Sequence, residues 1–99
     1  MSRRMQETSL DAYFGEVINK LGDAQKKVLD VFFESPTRDF TNSEIAKRLN
    51  WSINRVTPRV YELRGMDKNV PLPKPVLVKS TVRECQVTGR RVNAWKVNL

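Results

Sequence analysis

Histidine is absent from the 99 residues, and cysteine occurs once, at Cys85. The two scarcities exclude an internal disulfide, an ordinary zinc site and every histidine-based acid, base or nucleophile arrangement. A single cysteine in a strand pattern reads as a small, buried, inert side chain. Glycine occurs four times, in no phosphate-binding loop pattern. No apolar run reaches the length of a membrane span, and no uninterrupted apolar segment follows Arg3 and Arg4. The expectation is a cytoplasmic protein with no cofactor, no metal, no membrane association and no enzymatic activity. With 39% hydrophobic residues the chain is long enough to bury one core, so a single domain is expected over 1–99.

Negative charge is scarce in the C-terminal part. Residues 1–40 carry six basic and seven acidic side chains, whereas residues 41–99 carry twelve basic against four acidic, net +8 of a total of +7. Such an asymmetry is the footprint of a polyanion binder.

Periodicity supplies the elements. Leu10, Tyr13, Phe14, Val17, Ile18 and Leu21 fall on one helical face, which predicts a helix over 8–22 after a flexible 1–7, with Gly22 as its stop. Asp23 is placed to cap a second helix with Ala24, Val28, Leu29 and Phe32 inward, ended by Ser35-Pro36. Thr41 and Glu44 make a capping box, and Phe40 with Ile45 a hydrophobic staple, for a third helix that Asn50 can close in the left-handed conformation. Ser52 recaps the chain for a fourth, whose buried face is Ile53, Val56, Val60 and Leu63. Pro58 falls inside that fourth helix and points outward. Its cost is lowest if Thr57 serves as a cap and Pro58 as the first regular position, so a kinked or late-starting helix is expected. Residues 65–75 form a Pro-rich loop, and 76–99 a β-hairpin turning at Thr88-Gly89, with Val82 opposite Trp95 and Ser80 opposite Val97.

The stretch "FTNSEIAKRLNWSINRVTPRVYEL" resembles the winged helix-turn-helix signature, and "CQVTGRRVNAW" is similar to the wing of small winged-helix proteins of bacteriophages and prophages. The resemblance extends over "SLDAYFGEVINKLGDAQKKVLDVF" and so over most of the chain. It implies an α+β, mostly α fold: a winged helix-turn-helix with four helices and a C-terminal hairpin wing. The connection over 65–75 departs from the family, in which the reading helix runs almost directly into the wing.

By position, the resemblance implies that Asn54, Arg55, Pro58 and Arg59 read bases in the major groove of double-stranded DNA. Thr41, Lys47, Arg48, Ser52, Arg83, Arg90 and Arg91 would contact its backbone. Glu62 reads as a helix-surface residue, and Trp51 and Trp95 as core. The implied role is a transcriptional or mobile-element regulator in a bacterial or phage-infected cell, with helix 8–22 serving the fold or pairing a homodimer. A winged-helix module binding an acidic protein partner is the alternative for the same basic half.

Overall fold

The computed structural model describes residues 20–69, 72 and 74–98. They form α1 (Asp23–Glu34), α2 (Asn42–Leu49), α3 (Ile53–Leu63), β1 (Leu77–Glu84) and β2 (Arg91–Val97), a mostly helical α+β arrangement. The expected four helices are thus three among the described residues. The helix expected over 8–22, and the dimer surface assigned to it, lie outside them but for residues 20–22, which form a turn and bend.

Local chemistry sets the helix ends. Gly22, rather than Asp23, is the N-cap of α1, because the Gln25 side chain reaches back to accept from the Gly22 N–H at 2.9 Å. Asp23 becomes the first helical residue, with its charge at the positive end of the helix dipole. Val28, Leu29, Val31 and Phe32 are buried, and the helix stops at Ser35 ahead of Pro36.

In α2 the capping box forms as expected: Thr41 Oγ1 accepts from the Glu44 N–H at 3.2 Å, and Glu44 Oε1 from the Thr41 N–H at 3.1 Å. Asn50 takes φ 57°, the left-handed conformation expected of it. The N–H groups of Asn50 and Trp51 then reach back to the carbonyls of Lys47 and Ala46. Gly65, at φ 74°, closes α3 in the same way, with Gly65 and Met66 bonding to Glu62 and Tyr61. Both are Schellman closures. Only residues 50–52 separate α2 from α3.

The hairpin departs from its expected register. Its loop is closed by the Cys85 N–H on Arg90 O and the Gly89 N–H on Cys85 O, each 2.8 Å. That is longer than a two-residue Thr88-Gly89 turn, and β1 carries a bulge between Lys79 and Val82. Lys79 rather than Val82 therefore lies opposite Trp95, Leu77 rather than Ser80 lies opposite Val97, and Val82 is 40% exposed. Cys85 is buried, as expected of it.

Phe40 joins the sheet through a two-bond bridge to Trp95, 2.9 and 2.8 Å. Its ring meets Phe32 edge-on, 5.3 Å between centroids. The core behind this contact draws Leu29, Ile45, Val56, Leu63, Leu77 and Trp95 from every element, which docks the hairpin on the three helices.

Candidate functional site

The outward side of α3 is a line of three residues, Asn54, Pro58 and Tyr61, spaced i, i+4 and i+7 and all exposed. Val56, Val60 and Leu63 form the buried seam behind them. Ile53, expected in that seam, is 42% exposed. It lies within about 20° of Val60 around the axis but is the first residue of the helix, so its exposure belongs to the helix end and not to a different face.

The helix begins at Ile53, so Pro58 is its sixth residue and Thr57 is not its cap. Proline has no N–H for the Asn54 carbonyl, and the adjacent Thr57 hydroxyl turns back to donate to Ile53 O at 3.0 Å. Ser52 holds the N-cap position without a side-chain capping bond. It is exposed.

The arginines of α3 leave the outward line for its flank. Arg59 grips Glu62 with Nε and Nη2, at 2.8 and 2.9 Å. Gln25 of α1 donates to the same carboxylate at 2.7 Å, which turns the pair toward α1. Arg55 lies over the Trp51 ring, 3.7 Å from its centroid. Trp51 is partly buried against the core and Trp95 is buried, as expected of both.

On the opposite flank Asn42 joins three elements. Its Oδ1 accepts from Trp95 Nε1 of β2 at 2.9 Å, and its Nδ2 donates to Thr57 Oγ1 of α3 at 3.4 Å. Beside it opens a cleft of about 370 Å³ between the start of α2 and the hairpin, lined among others by Ser43, Thr88, Arg90 and Asn93. Lys47 and Arg48 border a second cleft, of about 240 Å³, with Gln86 and Val87. Arg48 lies over the Phe40 ring at 4.9 Å. Arg90 and Arg91 are exposed where the loop meets β2.

Two residues expected at the DNA backbone have their polar groups engaged within the chain instead. Thr41 is fully buried, with its hydroxyl on the Glu44 N–H and 3.0 Å from Cys85 Sγ, so it has no surface to offer a phosphate. Arg83 directs Nε to Asp39 Oδ1, Nη1 to Glu44 Oε2 and the Glu84 carbonyl, and Nη2 to Glu44 Oε1 and the Asp39 carbonyl. All five guanidinium N–H groups have partners. Burial alone would raise the Glu44 pKa. The bonds from Arg83 and from the Gln86 and Thr41 N–H groups outweigh it and bring the pKa down to about 2. Arg83 is correspondingly raised, chiefly by Glu44. Burial opposes ionisation of Cys85 too, but the bond with Thr41 and donors from Thr88 and Val87 leave its thiol below the usual value.

Tyr61, Asn42 and Asn93 belong to this surface and were not among the residues expected there. Tyr61 had a signal, its place seven residues after Asn54; Asn42 and Asn93 are brought in by tertiary packing. Among the described residues no cluster of His, Cys, Asp and Glu can hold a metal ion, and no helix is long and apolar enough to cross a membrane. No protein-family model, curated protein or solved structure matches the chain.

Proposed function

We propose that the protein is a winged helix-turn-helix module that binds double-stranded DNA with sequence selectivity, as a transcriptional or mobile-element regulator. The observation that carries the proposal is the Asn42 link. It ties the start of α2 to Trp95 of β2 and to Thr57 of α3, which joins the helix pair to the hairpin beside the cleft that Arg90 lines. The eleven residues of α3 make a rod roughly 16 Å long, and the major groove, about 12 Å wide, admits one helix.

In this reading α3 is the reading helix. Asn54 and Pro58 face base edges with Tyr61, while Arg55 lies at the flank, where phosphates run. Ser52, Arg90 and Arg91 contact the backbone beside the groove, and the wing is the hairpin. Lys47 and Arg48 add positive potential from α2. The net +8 over residues 41–99 supplies the sequence-independent part of the affinity.

Selection from a random duplex library, repeated over a salt series, tests the proposal. A recurring sequence and affinity that falls steeply with salt are expected. Equal retention of all duplexes would end the sequence-selective reading, and no retention at low salt would leave the acidic protein partner as the polyanion.

A further inference from the structure

From the chemistry of the outward line on α3 we infer that the bases it reads are A·T pairs, recognised through adenine N6/N7 and the thymine methyl. The inference rests on the duplex-DNA reading above.

The residues in that line decide it. Guanine presents two acceptors in the major groove, and its usual reader is a donor-only fork such as arginine. Both arginines of α3 are drawn away from the line. Arg59 has its Nε and Nη2 on Glu62, a carboxylate also held by Gln25 of α1. Arg55 is stacked over Trp51 in the preceding turn. What remains outward is one amide, Asn54, with the Pro58 ring and Tyr61 at 47% exposure, while Thr57 and Ile53 are exposed on one flank and Arg55 on the other. An amide offers a donor and an acceptor side by side, which matches adenine N7 and N6–H, and hydrocarbon matches the methyl that thymine alone carries.

Pro58 strengthens the case independently. A proline inside a helix removes a backbone hydrogen bond, and this one is exposed, so burial in the folded chain does not offset that loss. A residue that weakens its own helix while remaining uncovered points to a contact outside the chain. In a groove lined by bases, a rigid ring makes that contact with a methyl.

The experiment begins with the duplex that emerges from random selection. Two base analogues are then placed in it: uracil for thymine, which removes the methyl, and 7-deazaadenine for adenine, which removes N7. An A·T core is expected. Uracil at a contacted position should weaken binding roughly fourfold per methyl, and 7-deazaadenine about tenfold. Asn54→Ala should lose its sensitivity to 7-deazaadenine while keeping that to uracil, and Pro58→Ala the reverse. Since alanine returns the missing N–H to the helix, Pro58→Ala should unfold no earlier than the parent, and a thermal midpoint measured beside the binding separates lost contact from misfolding. A selected G·C core, or full affinity for both analogue duplexes, would overturn the A·T inference and leave duplex binding standing. Failure to select any sequence would overturn the sequence-selective reading on which it rests.

Discussion

Arg83 holds both carboxylate oxygens of Glu44, Nη2 to Oε1 at 2.7 Å and Nη1 to Oε2 at 2.8 Å, across 39 positions of chain. The same carboxylate closes the capping box of α2. One side chain thus fixes both where that helix starts and how the hairpin lies against it.

Stability should therefore depend on acid in a defined window. The Glu44 pKa falls from an ordinary 4.5 to about 2 in the folded chain. Its contribution is complete above about pH 4.5 and is lost as the pH falls toward 2. Glu44→Gln should cost about 1–3 kcal/mol at neutral pH, because Arg83 loses its bidentate partner and keeps only the Asp39 carboxylate as counter-charge. It should also flatten the acid limb. Thermal denaturation of both proteins from pH 2 to 7 checks the pair of outcomes; an unchanged acid limb in the variant would place the titrating group elsewhere.

Pro58→Ala should stabilise the protein by roughly 1–2 kcal/mol, because an N–H is restored to the Asn54 carbonyl and the pyrrolidine ring leaves the turn. The midpoint of thermal unfolding should rise by several degrees. A fall would mean that the helix is adapted to the ring.

Asn50 offers a backbone test. At φ 57°, Asn50→Gly should remain within about 0.5 kcal/mol of the parent, whereas Asn50→Val should cost roughly 1–2 kcal/mol from the clash of a branched Cβ in the left-handed region. Urea unfolding of the two variants resolves the difference.

Arg90 and Arg91 should act on DNA affinity without acting on sequence preference, since phosphate contacts orient a protein and carry no base information. Replacing both by alanine should make the slope of log affinity against log salt shallower by roughly 1.8, with good and poor sites weakened alike. An unchanged slope would remove the hairpin tip from the binding surface.

The parts of this fold legible in the sequence are those whose causes are local. The Thr41–Glu44 box spans three residues, the left-handed Asn50 acts on its own turn, and the 3.6-residue period placed Val56, Val60 and Leu63 inside. The hairpin register escaped because it follows from how the 85–90 loop closes and from a bulge, neither of which alternation reveals. The arginines escaped for a related reason. Sequence shows that charge is present, but Arg83 is claimed by acids on another element, and Arg59, three residues from its partner, could equally have faced outward until Gln25 fixed Glu62 from α1. An ion pair across elements thus engages Arg83, and a pair within α3, fixed from α1 by Gln25, engages Arg59, while Tyr61 lies on the outward line by an unbroken helical spacing.

Cys85 gives the molecule a built-in clock. Its thiol is 1% exposed and packed against the Thr41 hydroxyl, so a thiol reagent can reach it only while the hairpin loop is lifted from α2. When reclosing outruns the chemistry, the labelling rate equals the reagent's intrinsic rate multiplied by the equilibrium population of that opened form. Every residue that pins the loop therefore writes itself into a single observed rate, and the lifting of the hairpin can be timed with no foreign probe attached.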